Sequence, residues 1–156
     1  MSRPVSNIET NAWLSAESLD REAMRREVAD PAAGAILVFE GTVRDHSVGL
    51  TNVIALEYEA QESMAAKVMA NIVAETRAEI PVQRIAVRHR IGRVALGEPT
   101  IIIAVSAAHR DEAYRASRQI IDRIKHEAPI WKREILQDGK SQWSRGCTAH
   151  SEAKAA

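Results

Sequence analysis

Lys125-His126-Glu127-Ala128-Pro129-Ile130-Trp131-Lys132-Arg133-Glu134 is the stretch that decides how this chain is put together. It opens at the tail of an amphipathic pattern, is stopped by Pro129, and resumes with Trp131 ahead of Lys132 and Arg133. Proline lacks the N–H that a helix needs, and the residue before it is driven towards extended geometry. Lys125 and Lys132 therefore ride on two segments of different shape, which can converge on one point. Two lysines aimed at one place suggest an anion-binding pocket, in which an amine can serve as nucleophile or proton carrier.

Upstream of this stretch, Ala113, Ala116, Ile120, Ile121 and Ile124 recur at helical spacing and predict a helix from about Asp111 to Ala128. Thr100 to Ser106 is the most apolar run and reads as a strand central in its sheet. Between them stands Ser106-Ala107-Ala108-His109-Arg110, a strand-to-helix junction. Backbone N–H groups and the positive end of the helix dipole gather at such a place and favour an anion. Downstream, Asp138-Gly139 separates Glu134 to Gln137 from Lys140 to Trp143 and predicts a C-terminal hairpin.

The first half follows the same grammar. A short strand is expected around Val5 to Ile8, then a helix from Leu19 to about Ala29 capped by Ser18. Ala35 to Phe39 reads as a buried strand running on through Glu40-Gly41-Thr42-Val43-Arg44, with Gly41 marking a bulge or a close backbone approach. Arg44 opens a loop from Asp45 to Asn52. Ile54, Leu56 and Tyr58 alternate with Ala55, Glu57 and Glu59, the pattern of a half-buried strand. Met64, Val68, Met69, Ile72 and Val73 predict a helix over Ser63 to Ile80, closed by Pro81. Arg84 to Ile91 alternates again, placing His89 on the apolar face, where it reads as a hydrogen-bonded structural histidine before a catalytic one. Gly92 to Pro99 reads as a turn region. The order is helix, strand, strand, helix, strand, strand, helix, hairpin. It predicts an α+β fold, with helices packed on a mixed or antiparallel sheet.

The totals agree. A chain of 156 residues, 46% hydrophobic and 27% charged, suits one soluble globular domain across 1–156 with a flexible tail after Gly146. Lys+Arg and Asp+Glu are equal at 21 each. A net charge of zero and few aromatic side chains set a nucleic-acid-binding role behind the others. The single cysteine, Cys147, rules out an internal disulfide and has no activating motif around it. No apolar run reaches the roughly 18 to 20 residues of a membrane span, and no signal pattern opens the chain, so a cytoplasmic protein is expected. His46, His89, His109, His126 and His150 show neither an i, i+4 pair nor a cysteine partner, so no metal site is expected. No Gly-rich phosphate loop or nucleophile elbow is present either, and no cofactor is expected. What remains is a set of cations at element ends: Arg44, His109, Arg110, Lys125, Lys132 and Arg133. Their matching partner is a phosphate or carboxylate. Neighbouring cations and partial burial lower a lysine's pKa, which would ready such an amine for acid–base or nucleophilic work.

Six stretches carry a family resemblance: Phe39-Glu40-Gly41-Thr42-Val43-Arg44, Leu56-Glu57-Tyr58-Glu59-Ala60, His89-Arg90-Ile91-Gly92, Gly97-Glu98, Ser106-Ala107-Ala108-His109-Arg110, and Lys125 through Glu134. Over about residues 34 to 143 the chain resembles the large, catalytic subunits of molybdopterin synthases. The resemblance implies an α/β hammerhead-like fold and a sulfurtransferase of molybdenum cofactor synthesis. Such an enzyme converts cyclic pyranopterin monophosphate to molybdopterin. Its sulfur comes from the thiocarboxylated Gly-Gly C-terminus of a small ubiquitin-like subunit, and the assembly is a homodimer of large subunits carrying one small subunit each. Carried over by position, Lys125 and Lys132 match the two essential lysines. Lys125 would lie nearest the thiocarboxylate, and Lys132 would serve substrate binding and proton transfer. Arg44, His109 and Arg110 match groups that hold the pterin phosphate, with Thr42, Val43, Arg133 and Glu134 lining the pocket. Thr42 stands where many members carry lysine, Gln61 replaces an aromatic, and Arg145 is a candidate for reaching a neighbouring pocket. The competing expectation is a non-catalytic module that binds a phosphorylated pterin or nucleotide with the same cations.

Overall fold

The computed structural model describes residues 11–143. The expected strand at 5–8, the tail after 146, Arg145 and Cys147 lie outside the described residues. In chain order the elements are β1 (Ala12–Ser15), α1 (Arg21–Val28), β2 (Ala35–Thr42), β3 (Val53–Ala60), α2 (Glu62–Glu79), β4 (Arg84–Arg90), β5 (Gly92–Ala95), β6 (Pro99–Ala107), α3 (Arg110–Glu127), β7 (Ile130–Leu136) and β8 (Ser141–Trp143). The class is α+β, as the element order implies. The strands form two sheets rather than one: β1-β4-β6-β2, in which only β1 and β4 are parallel, and β5-β3-β7-β8, antiparallel throughout.

The first sheet is covered on both faces, and strand parity shows how. Ile101, Ile103 and Val105 of β6 join Ile85 and Val87 of β4 beneath α2 and α3, with Met69, Ile72, Val73, Ile120 and Ile124 in the same cluster. Ile102 and Ala104 of β6 and Ala86 of β4 face the other way, against Met24 and Val28 of α1. A strand buried on both sides has no reason to alternate, which is why β6 reads as an unbroken apolar run. β4 shares this double burial, yet it carries Arg88 on the α1 face. That guanidinium is buried, pairs with Glu27 at 2.7 Å and lies 3.1 Å from the centroid of the Trp13 ring. Ion pairing and stacking together make its burial tolerable.

Several expectations are corrected. The N-cap of α1 is Asp20, not Ser18; its carboxylate accepts from the Ala23 N–H at 3.0 Å, the reach an N-cap needs. Ile54 is exposed and Ala55 buried, because a register shift between Val53 and Ala55 rotates β3 by one residue. Met64, in the first turn of α2, is exposed as well. The presumed turn at 92–99 contains β5, which only Val94 anchors in the core. Gly92, at a φ of 81°, is where the chain leaves the first sheet for the second. A side chain there would be strained. At Gly41, where a bulge or a close approach is expected, the β2–β6 ladder shifts register between Gly41 and Thr42.

Gly34 fixes the close approach of β2 to the end of β6, its N–H donating to the Ala107 carbonyl at 2.9 Å. A methyl group at that position would overlap the Ala108 carbonyl oxygen, which is backbone and has little room to move. Gly34→Ala is expected to destabilise the fold by about 1–3 kcal/mol, the usual cost of overpacking. Urea unfolding checks this, and an unchanged midpoint would show that the strand ends are looser than described.

Candidate functional site

The junction of the two sheets holds a cavity of about 500 Å³. β2 brings Phe39, Gly41 and Thr42 to it, and the loop beyond adds Arg44 and His46. β3 adds Leu56 and Tyr58, the end of β4 adds His89, the last turns of α3 add Asp122, Lys125 and His126, and β7 adds Lys132 and Glu134. Each polar group thus sits at or near the end of an element, and the walls between them are apolar: Ile101, Ile121, Ile124 and Ile130.

Lys125 and Lys132 reach this one cavity from different elements. α3 ends at Glu127 with its Ala128 cap extended, and the chain turns through Pro129 directly into β7. Lys125 lies in the last helical turn, where the C-terminal carbonyls present the negative end of the dipole to its ammonium. Lys132 stands opposite Tyr58 in the β3–β7 ladder.

Strand alternation decides which neighbours join them. Lys132 and Glu134 share a face of β7, so Arg133 must point the other way. There it pairs with Glu57 at 2.9 Å and lies 5.4 Å from the Trp143 ring. Thr42 and Arg44 border the cavity, whereas Val43 between them is buried with Val53, Leu56 and Val94. Arg133 is therefore displaced from it by the two-residue period of β7, and Val43, just beyond the end of β2, by its burial in the core. His109 and Arg110 are displaced further. They stand at the N-terminus of α3, 15 residues before Lys125, roughly 22 Å along the axis at 1.5 Å per residue. The positive dipole end there already faces Asp111 and Glu112 of the first turn. Within one chain, the two ends of α3 do not converge.

The carboxylates of the cavity are already held. Glu134 is buried and accepts from the Ser47 hydroxyl at 2.9 Å, which ties the Asp45–Asn52 loop to β7. Asp122 accepts from Arg118 Nε at 3.0 Å. His46, on the tied loop, lies 2.7 Å from Asp45, and this contact holds the Asp45 carboxyl below its ordinary value. Tyr58, His46, His89 and His126 also line the cavity. The sequence offered a sign only for Tyr58 and His89, as members of the inward-facing sets of their strands. Among the described residues no group of three or more His, Cys, Asp or Glu side chains could hold a metal ion.

His89 is the titratable group most changed by this surrounding. Its ring meets Tyr58 edge-on, with centroids 4.9 Å apart and planes at 83°, and its Nδ1 lies 2.7 Å from the Arg90 carbonyl oxygen. Burial, reinforced by the positive charge of Lys125 and partly offset by the bond to Arg90, lowers its pKa to about 4. At neutral pH this favours the neutral imidazole.

Comparison with known proteins places the chain in a family. The MoaE protein family profile matches residues 14–127. A molybdopterin synthase catalytic subunit from Thermoplasma volcanium is 43% identical over 136 residues, covering 87% of this chain and 98% of that one. One from Bacillus subtilis is 42% identical over 134 residues, covering 86% and 81%. The crystal structure of molybdopterin synthase from Staphylococcus aureus superposes with a TM-score of 0.80 at 37% identity, covering 86% of this chain and 96% of the other. A complex of subunits 1 and 2 of the molybdopterin-converting factor from Helicobacter pylori shares the fold, with a TM-score of 0.71 at 22% identity.

The low pKa of His89 has a consequence for stability. The unfolded ring, near its ordinary value of 6.5, takes up a proton before the folded one as pH falls. The contribution is complete above about pH 6.5 and is lost on the way down to about pH 4. Between pH 7 and pH 5 this group alone is expected to remove about 2 kcal/mol of stability. Urea titrations at both pH values should show that difference in the native chain and a much smaller one in His89→Asn; an equal loss of unfolding free energy in the two chains would contradict the burial of a neutral ring.

Proposed function

This chain belongs to the MoaE protein family, and we propose that it works as the catalytic subunit of a molybdopterin synthase. It would transfer sulfur to cyclic pyranopterin monophosphate from the thiocarboxylated C-terminus of a small ubiquitin-like subunit. The observation that carries this reading is the delivery of Lys125 and Lys132, from α3 and β7, to one cavity that Arg44 also borders.

The roles follow from charge and position. Arg44 supplies a planar fork suited to the substrate phosphate. The ammonium of Lys125 offsets the negative charge of the thiocarboxylate as the partner's tail enters. Lys132, beside it on β7, holds the substrate and exchanges protons with it. Thr42 and Glu134 border the same space, with Glu134 also tying the loop to β7 through Ser47. As sulfur bonds to the pterin side chain, the acyl carbon of the partner is released to water and ends as a carboxylate. No cofactor takes part in this scheme, and the cytoplasm is its setting.

His109 and Arg110 enter through assembly. Held at the far end of α3, they can serve a pterin phosphate only in the cavity of a second copy, so the working unit is a homodimer with composite sites. Lys125→Ala is expected to cut molybdopterin formation at least about a hundredfold. Its unfolding free energy should stay within about 0.5 kcal/mol of the native value, because the side chain is exposed. Arg110→Ala should also be impaired alone. Co-expressing the two variants should restore activity, since a mixed dimer contains one intact site. Full activity in Lys125→Ala would overturn the enzyme reading, and a mixture no better than its parts would overturn the shared site.

A further inference from the structure

We propose that His89 determines specificity in this cavity: its Nε2 is a fixed, neutral acceptor that takes a hydrogen bond from an N–H group of the pterin ring. The proposal rests on the assignment of a pterin phosphate to the cavity.

Three features of the side chain lead there. First, its tautomer is set by its neighbour. The Arg90 carbonyl at 2.7 Å can only accept, so Nδ1 carries the proton and Nε2 is left with a bare lone pair. Second, the ring is held in place. It is buried at the end of β4 opposite Ile101, and Tyr58 stands against it edge-on. Nδ1 is turned to the backbone, so Nε2 on the opposite side is the nitrogen available to the cavity that the ring lines. Third, burial and the charge of Lys125 oppose a second proton, so the group stays an acceptor throughout the neutral range.

The rest of the polar lining makes such a group useful. Arg44, Lys125 and Lys132 are donors or cations, matched to a phosphate and a thiocarboxylate. Asp122 and Glu134 are acceptors as well, each with one oxygen engaged by Arg118 or Ser47. A carboxylate would also repel a phosphate-bearing ligand. The flat ring of a pterin presents amide and amino N–H groups, and a neutral nitrogen lone pair accepts from one of them without adding negative charge near the phosphate. A site built to accept a hydrogen bond discriminates against ligands that cannot donate it, because its own polar atom is then left unpaired.

The test compares the native chain with His89→Asn and His89→Gln. The asparagine amide can keep the bond to the Arg90 carbonyl but falls short of the Nε2 position, which the glutamine amide oxygen can reach. Turnover is measured against cyclic pyranopterin monophosphate with saturating thiocarboxylated small subunit, and binding of inorganic phosphate is measured separately. His89→Asn should raise KM about tenfold with kcat within about twofold, the sign of lost uniform binding. Its phosphate affinity should be unchanged, and His89→Gln should recover part of the loss. An unchanged KM in His89→Asn overturns the inference. So does a parallel fall in kcat and phosphate affinity in both variants, which marks a structural role. A native chain that forms no molybdopterin overturns the functional reading and this inference with it; an active native chain beside an indistinguishable His89→Asn overturns this inference alone.

Discussion

Pro129 is the joint on which the site depends. Before it, α3 packs on the first sheet; after it, β7 runs in the second. The helix cannot continue through the proline, and Ala128 is already extended, its N–H closing the last turn on the Ile124 carbonyl at 3.1 Å. The Pro129 carbonyl in turn accepts from the Gln61 N–H at 3.2 Å, fastening the joint to the corner where β3 becomes α2. Lys125 lies just before this joint and Lys132 just after it. Their common cavity follows from a change of direction that backbone sterics impose, not from any attraction between two like charges.

Electrostatics then divides the cavity into parts with different tasks. Cations come from α3, β7 and the loop after β2, and the helix C-terminus offsets the charge of Lys125. The two carboxylates are tied to Arg118 and Ser47, so they shape the walls and hold the loop. His89 is kept neutral by the same burial and the same lysine charge that characterise its surroundings. A pocket lined by cations alone would bind almost any anion; an uncharged acceptor at a fixed position adds a requirement about the rest of the ligand.

Much of this was legible in the residues, for reasons that can be named. The stripe Ala113, Ala116, Ile120, Ile121 and Ile124 is buried throughout, because a helix packed on a sheet has one period and one face. The hairpin at Asp138-Gly139 formed because Gly139 supplies the positive φ, 84°, that the turn needs. The second sheet was not legible: β5 is four residues long with one buried side chain, too short to carry a pattern. β1 was likewise missed, since its pairing with β4 is decided by tertiary contact. Within the site, the expectation treated residues adjacent in sequence as adjacent in space. Within one chain, Arg133 lies on the opposite face of β7 from Lys132, Val43 just beyond β2 is buried between Thr42 and Arg44, and His109 and Arg110 stand an 18-residue helix away from Lys125. His89 reads as structural because its apolar face is plain in the alternation; that this face borders a cavity depends on the packing of β3, α3 and β7 around it.

The central claim is that Lys125 and Lys132 face one ligand in one cavity. Lysine side-chain NMR of the full chain, titrated with cyclic pyranopterin monophosphate, tests it most directly. The account predicts that both resonances shift along a single binding curve with one Kd. A titration in which only one lysine responds, or in which the two follow different curves, would contradict it.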